Sequence, residues 1–509
     1  MTLLLLLALA APSETHAGSL VIVGGGKLPD AVREEFVKRA GGVGKAKLVV
    51  IPTASEDAEK PEEAESYLRP WRKCQPASLT LVHKPDAEGL KPLKEATGVW
   101  LSGGDQSQLT AAYKGRPVEA ELVALLKRGG VVGGTSAGAA VLSDPMITGG
   151  SPVATTGPGF GLLPRVLVDQ HFTQRKRLAR LLGVLDKSPG VVGLGIDEST
   201  AIVVSGRDVQ VMGKGTVTAC WAKSADRPTL TEVYKPGDKL DLYQLRRAAE
   251  ARAKPTPPVG TPEVPKGSLV IVGGGAVPAE IVERFLALAG GPESPIVVVP
   301  TAQDDPLAGN HPEVELLRRH AANHIMVLHT RDRKTANDPH FAEPLLTARG
   351  VWFGGGRQWR LVDAYEGTLT EVAFRGVLKR GGVIGGSSAG ASIQGQYLPR
   401  GHPLGNTAMM AEGYERGFGY LPGTAVDQHF FKRNRFADMT GLMKQRPDLL
   451  GIGIDEGTAL VVTGRAAEVI GASKVAFYDW RAGQPAGDKD YTEVPAGGRY
   501  DLTDRRPNR

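Results

Sequence analysis

Only two cysteines, Cys74 and Cys220, occur in the 509 residues. Two are too few for a disulfide framework, and they lack the spacing of metal ligands. Neither has a cysteine counterpart in the other half of the chain, which removes both from any chemistry the halves share. They could pair with each other in an oxidising compartment, a point on which the sequence is silent. The formal charge of +6 is small for this length, and the basic residues are dispersed among acidic ones. Without a basic stripe and interleaved aromatics, a nucleic-acid partner is excluded. Beyond the first residues no apolar run approaches membrane length. The dinucleotide pattern G-x-G-x-x-G fails at Pro29 and Pro278, so Gly24-Gly25-Gly26 and Gly273-Gly274-Gly275 read as structural turns. No Walker A lysine is present, and no metal or organic cofactor is implied.

What the chain has is the same pattern twice. Gly18 to Gly26 and Gly267 to Gly275 share the string Gly-Ser-Leu-Val-Ile-Val-Gly-Gly-Gly. Pro52-Thr53-Ala54 pairs with Pro300-Thr301-Ala302, Val99-Trp100 with Val351-Trp352, and Gly159-Phe160-Gly161 with Gly417-Phe418-Gly419. A period of about 250 residues is far too long for a solenoid and marks duplication of a whole domain. Each copy is long enough to bury a core of its own. The expected organisation is a first domain over 18–247, a linker over 248–266 and a second domain over 267–509. Within the linker, a charged Ala/Glu/Arg stretch precedes a proline-rich one, which predicts an extended, semi-rigid tether. At the start, an apolar run over 3–11 followed by Thr15-His16-Ala17 reads as an export signal over 1–17, and so as a periplasmic or secreted protein.

Apolar runs of strand length at 20–23, 48–51, 99–101, 131–132, 166–168 and 191–196 alternate with helical patterns at 31–40, 118–127 and 174–182. Such alternation predicts an α/β fold in each copy, a mostly parallel sheet covered by helices on both faces. Residues 201–204 and 209–212 look like a closing antiparallel pair. Ligands of these sheets sit at the carboxyl ends of the strands, where Gly103-Gly104-Asp105-Gln106, Ser136, His171 and Glu198 all fall.

Gly134-Thr135-Ser136-Ala137-Gly138 and Gly386-Ser387-Ser388-Ala389-Gly390 each follow a strand as G-x-S-x-G. Small flanking residues let a tight strand-to-helix turn expose the hydroxyl and bring a substrate carbonyl up to backbone N–H groups. A serine hydroxyl also needs a base within hydrogen-bond reach. Of ten histidines, only His171 and His429 stand out as occupying matching positions, each inside Val-Asp-Gln-His-Phe. The carboxylate comes from Gly-Ile-Asp-Glu, at the same separation from the histidine in both copies (171 to 198 and 429 to 456). Either acid of each adjacent pair, Asp197 or Glu198 and Asp455 or Glu456, could orient the imidazole. The order Ser…His…acid differs from the Ser…acid…His of α/β-hydrolases, which disfavours a common lipase or esterase.

These motifs together, with Asp169-Gln170-His171-Phe172 followed by Arg175, Arg177 and Arg180, resemble the cyanophycinases. That serine peptidase family also includes aspartyl dipeptidases, on a flavodoxin-like sheet akin to class I glutamine amidotransferases. The resemblance covers both halves. It implies hydrolysis of cyanophycin, a poly-aspartate carrying arginine on each β-carboxyl, to β-Asp-Arg dipeptides. Ser136 and Ser388 would be nucleophiles, His171 and His429 bases, and Glu198 and Glu456 the orienting acids. The N–H groups of Gly104, Ala137, Gly356 and Ala389 would form oxyanion holes. Gln106, Asp169, Gln170, Arg175, Arg177 and Arg180, with Gln358, Asp427, Gln428, Arg433 and Arg435, would hold the substrate. Arg175 and Arg177, near a helix start, suit a substrate carboxylate, and Asp169 suits a substrate guanidinium.

The second copy departs at Arg357, which replaces Asp105, and at Asp438, which replaces Arg180. Its serine-to-histidine segment is also longer and contains Arg400-Gly401-His402-Pro403, so a changed pocket is expected there. Family members commonly pair, so the two fused copies would form an intramolecular pseudo-dimer. An aspartyl dipeptidase or other isopeptide hydrolase, and a binding protein that has kept the fold without turnover, are the competing readings.

Overall fold

The computed structural model describes residues 17–305, 307, 309, 311–485 and 488–508, in two compact units that divide between Thr256 and Pro257. The expected export signal lies, but for Ala17, outside the described residues. Among the described residues, no helix is long and apolar enough to cross a membrane.

The first unit runs β1 (Ser19–Val23), α1 (Asp30–Arg39), β2 (Lys47–Ile51), α2 (Ala64–Arg72), β3 (Ser78–Leu81), α3 (Lys91–Glu95), β4 (Gly98–Leu101), α4 (Gln106–Tyr113), α5 (Pro117–Lys127) and β5 (Val131–Thr135). It continues through α6 (Ala137–Ala140), β6 (Met146–Gly149), β7 (Thr155–Gly157), β8 (Val166–Gln170), α7 (Leu178–Leu185), β9 (Val192–Ile196) and β10 (Thr200–Ser205). β11 (Asp208–Gly213), β12 (Val217–Trp221), β13 (Leu230–Tyr234), β14 (Lys239–Asp241) and α8 (Leu242–Arg252) complete it.

Eight strands form one sheet in the order β14-β11-β10-β1-β5-β4-β2-β3. The run from β1 to β3 is parallel, and β10, β11 and β14 close it antiparallel, as the alternation and the terminal pair predict. Because alternate residues face opposite ways, Val21 and Val23 pack under Phe36, Trp71 and Trp100 while Leu20 and Ile22 face Leu122, Leu125 and Leu126. The sheet is therefore buried on both faces. Gly133 is what lets Trp100 lie flat on β5, since a Cβ there would stand 2.6 Å from the indole.

Three expectations need correction. β8 and β9 do not join the main sheet; they pair in parallel within a second sheet, β13-β12-β9-β8. The helix expected from 174 begins only at Leu178, because His171 and Lys176 adopt left-handed φ of 47° and 50° and turn the chain first. The tether is shorter than 248–266: α8 runs to Arg252 with Ala248 and Ala249 buried, and a strand of the second unit already starts at Val264.

The second unit repeats the plan. β15 (Val264–Val272), β16 (Ile296–Val299), β17 (Ile325–Val327), β18 (Gly350–Phe353) and β19 (Val383–Ser387) are followed by β20 (Gly395–Tyr397), β21 (Leu421–Asp427), β22 (Leu450–Ile454), β23 (Thr458–Gly464) and β24 (Ala466–Gly471). β25 (Lys474–Asp479), β26 (Thr492–Pro495), β27 (Arg499–Asp501) and β28 (Arg506–Asn508) end it. Its main sheet, β17-β16-β18-β19-β15-β23-β24-β27-β28, has the order of the first with one edge strand added.

Candidate active site

Five strands of the first unit end side by side, and each delivers one part of the site. β1 ends in Gly24-Gly25-Gly26, β4 in Gly103-Gly104, β5 in Ser136, β8 in His171 and β9 in Asp197-Glu198. The end of β1 joins the two sheets: the Ser136 N–H donates to Val23 O at 3.0 Å, the His171 N–H to Gly24 O at 2.7 Å and the Ser199 N–H to Gly25 O at 2.8 Å. The second copy repeats the first two, with Ser388 N on Val272 O at 3.1 Å and His429 N on Gly273 O at 2.6 Å.

Ser136 sits at φ 53°, ψ −110°, and Ser388 at φ 56°, ψ −110°, a conformation most residues avoid. It persists because the turn is filled with backbone. A Cβ on Gly134 would stand 2.2 Å from Gly138 O, and one on Gly138 would stand 2.2 Å from Leu101 O. The glycines of G-x-S-x-G thus hold the elbow closed, and the serine hydroxyl is turned to the histidine.

Ser136 Oγ lies 2.9 Å from His171 Nε2, and His171 Nδ1 lies 2.6 Å from Glu198 Oε1. Ser388, His429 and Glu456 repeat both distances, 2.9 and 2.6 Å. An ionised carboxylate only accepts, so Nδ1 carries the proton and Nε2 is free to accept from the serine O–H. This resolves the acid left open by the sequence. Glu198 faces the imidazole. Asp197 points the other way, accepting from Thr173 N and Oγ1 at 3.0 and 2.6 Å and from Thr216 N and Oγ1 at 2.9 and 2.8 Å. Burial would raise its pKa, but those four bonds hold the carboxyl below its ordinary range. Burial also acts on His429, pushing it below the usual histidine value with help from Arg433 and Arg435, against the opposing Glu456.

The glycines of the first strand-end have a closer role than a bare turn. Gly25, at φ 99°, lies flat against the imidazole: a Cβ there would be 2.3 Å from His171 Cε1. Gly274 stands in the same relation to His429. On the other side of the serine, a Cβ on Gly103 would stand 3.5 Å from Ser136 Cβ. The main-chain N–H groups of Gly104 and Ala137, and of Gly356 and Ala389, have no backbone acceptor among the described residues.

Several expected substrate contacts turn out to be internal. Asp169 is buried and takes Arg180 on both oxygens, Nε to Oδ2 at 2.8 Å and Nη2 to Oδ1, with Arg177 Nη1 at 3.4 Å from Oδ1. Its charge is neutralised, so it cannot serve a substrate guanidinium, and Arg180 is equally occupied. Arg177 also donates to the Gln170 carbonyl at 2.7 Å and to its side-chain oxygen. Gln106 donates to Ile147 O and Thr148 O at 2.8 and 2.9 Å, tying down the segment after the elbow, as Gln358 does to Pro399 O and Arg400 O. Arg435 and Gln428 are likewise joined to each other and to Asp427. Arg175 and Arg433 alone of these arginines are exposed; their backbone N–H groups donate to His171 O and His429 O at 3.0 and 2.9 Å, and their guanidinium groups make no hydrogen bond or ion pair among the described residues.

The departures in the second copy compensate one another. Asp427 has lost its Arg180 equivalent, and Arg400 from the longer segment takes that place, with Nε 3.1 Å from Oδ1 and Nη2 3.1 Å from Oδ2. Arg400 Nη2 also reaches Asp438, at 2.6 Å, the residue that stands where Arg180 would be. Arg357, in place of Asp105, donates to His402 O and Gly405 O at 2.6 and 2.7 Å and pins the same segment. The arginine partner has moved from helix α7 to the segment after β20, while the buried carboxylate keeps an arginine on it.

The histidine census needs a further correction. His83 and His329 also match, each 2.9 Å through Nδ1 from the threonine of the duplicated Pro-Thr-Ala. The weak sequence around them, Val82-His83-Lys84 against Leu328-His329-Thr330, hid the pairing. Cys74 and Cys220 are both free thiols, and burial pushes Cys220 up to about 12. Among the described residues, no group of three or more His, Cys, Asp or Glu could hold a metal ion.

The family model of peptidase family S51 matches residues 20–212 and again 269–470. The chain belongs to peptidase family S51. It is a serine peptidase, and one matched segment lies in each of the two duplicated halves. A cyanophycinase of Synechococcus elongatus is 35% identical over 249 residues, 45% of this chain and 76% of that protein. A cyanophycinase of Trichormus variabilis is 34% identical over 265 residues, 47% of this chain and 85% of the relative. Among solved structures, a peptidase from an acI-B1 actinobacterium is 26% identical, covering 46% of this chain and 97% of its own, with a TM-score of 0.38.

Proposed function

We propose that this S51 peptidase hydrolyses cyanophycin to β-Asp-Arg dipeptides through an acyl-enzyme. The observation that carries the reading is the Ser–His–Glu relay at hydrogen-bonding distance in both copies, in a chain about one-third identical to cyanophycinases. Ser136 Oγ attacks the scissile carbonyl carbon while His171 Nε2 takes its proton, and Glu198 stabilises the imidazolium that forms. The carbonyl oxygen becomes an oxyanion held by the N–H groups of Gly104 and Ala137, which have no backbone acceptor among the described residues. The imidazolium then returns the proton to the leaving amine, and water attacks the acyl-serine by the same base. Ser388, His429 and Glu456, with Gly356 and Ala389, act alike in the second copy.

Arg175 and Arg433, exposed just beyond the histidine turn, are the residues available for substrate carboxylates. Gln170 and Arg177, and Gln428 and Arg435, are bonded to each other beside the histidine turn. The test is release of β-Asp-Arg from purified cyanophycin by wild type, Ser136→Ala and Ser388→Ala. Loss in one variant assigns the working copy, and partial loss in both assigns turnover to both. A wild type that leaves the polymer intact while cleaving an aspartyl dipeptide defeats the polymer assignment.

A further inference from the structure

In each copy a buried network outside the triad braces the loop that carries one oxyanion donor. Thr53, 1% exposed, has its Oγ1 2.9 Å from His83 Nδ1 and 2.5 Å from Tyr113 Oη. Tyr113 Oη accepts from the Lys84 N–H at 3.0 Å. The second copy keeps the same three residues, with Thr301 Oγ1 2.9 Å from His329 Nδ1 and 2.8 Å from Tyr365 Oη, and Thr330 N–H on Tyr365 Oη at 3.4 Å. The residue after each threonine touches the candidate oxyanion loop. Ala54 O accepts the Asp105 N–H at 2.7 Å, and a Cβ on Gly104 would stand 1.9 Å from it. Ala302 O accepts the Arg357 N–H at 2.7 Å and crowds Gly356 in the same way, at 2.2 Å. Gly104 at φ 138° and Gly356 at φ 133° are therefore held against this alanine carbonyl, while a Cβ on the preceding Gly103 or Gly355 would stand 3.5 or 3.6 Å from the serine Cβ.

The donor count fixes the direction of the network. Tyr Oη already accepts a backbone N–H, so its own O–H is satisfied by donating to the threonine oxygen. The threonine O–H then donates to His Nδ1, which must be unprotonated. Nε2 carries the proton and faces a carboxylate, Glu59 at 3.5 Å in the first copy and Asp305 at 3.8 Å in the second. Burial, followed by Arg331, holds His329 below the ordinary histidine range, in keeping with a neutral ring. Reversing the chain would leave the tyrosine O–H without a partner in a buried site, which is costly.

We propose that His83 and His329 are positioning residues, which through Thr53 and Thr301 fix the Ala54 and Ala302 carbonyls and so aim the Gly104 and Gly356 N–H groups at the oxyanion. This rests on the serine-peptidase mechanism above. The test measures the pseudo-first-order rate at which a fluorophosphonate labels the serine, because its phosphoryl oxygen occupies the oxyanion site. A variant that merely unfolds in part lowers the labelled fraction and leaves that rate unchanged. In a Ser388→Ala background, His83→Ala should slow labelling of Ser136 by about 10- to 100-fold. His83→Asn, which keeps an acceptor at the Nδ1 position, should restore the rate to within about threefold. His329→Ala and His329→Asn in a Ser136→Ala background should behave alike. An alanine rate within about threefold of its parent overturns the inference, as does a loss that asparagine fails to repair. A parent that takes no label overturns the nucleophile reading and this inference together, so the two failures are distinguishable.

Discussion

Replacing Gly25 by alanine should separate catalysis from folding at a single methyl group. The new Cβ would lie 2.3 Å from His171 Cε1 and 2.5 Å from Nε2. Carbon contacts need about 3.5 Å, so the imidazole must retreat by roughly 1 Å. Nε2 now stands 2.9 Å from Ser136 Oγ, and that retreat takes it beyond useful hydrogen-bond range. A displacement of this size is expected to cost about 100-fold in rate, equivalent to about 2.7 kcal/mol of barrier. The positive φ of 99° adds a stability cost of roughly 1–2 kcal/mol for alanine, a fall of about 2–8 °C in melting temperature. Gly42→Ala is the control. Gly42 has a similar φ of 90° with nothing within 4 Å of the added methyl, so it should show the stability cost without the loss of rate. Fluorophosphonate labelling of Ser136 in a Ser388→Ala background, beside a thermal melt, reads both quantities. If Gly25→Ala labels within about threefold of its parent, the imidazole is not held by this surface and the reasoning is wrong.

The two adjacent acids should part company: Glu198→Gln should lower Ser136 reactivity by about 100-fold or more with little change in melting temperature. Asp197→Asn, which weakens bonds to Thr173 and Thr216, should instead cost about 1–3 kcal/mol of stability in a denaturant melt. Arg400→Ala leaves Arg435 as the one arginine on buried Asp427 among the described residues and should destabilise the second unit by about 3 kcal/mol. Adding Asp438→Arg, which restores the first copy's arrangement, should recover part of that loss. In the proposed mechanism neutral His429 is the base, and its pKa is lowered, so reactivity of Ser388 in a Ser136→Ala protein should survive below the ordinary histidine range and fall only at lower pH. In the same window the unfolded chain binds more protons than the native one, so His429 makes stability rise with pH. A labelling midpoint at or above about 6.5 would contradict the burial of that ring.

The duplication, the parallel strands and the serine, histidine and carboxylate motifs were all legible in the sequence, because each lies at a strand end marked by glycine and by an apolar run. Residues local in the chain carry that signal, and the repeat doubles it. Which acid turns to the imidazole was legible only through the family resemblance and not from the residues themselves, since neighbours leaving a strand face opposite ways and the packed turn decides between Asp197 and Glu198. The same holds for Asp169 and Arg180: both read as free charges beside a site, and burial made them partners. Arg400 and Asp438 look like two unrelated changes until the fold brings them onto one carboxylate. His83 and His329 are surrounded by different sequences, and only their shared threonine and tyrosine partners show that they correspond. The sequence by itself determined which groups could do the chemistry and that they occur twice. The tertiary structure decided which charges are spent on one another and which remain for a substrate, because pairing across strands depends on distance and burial that no linear spacing records.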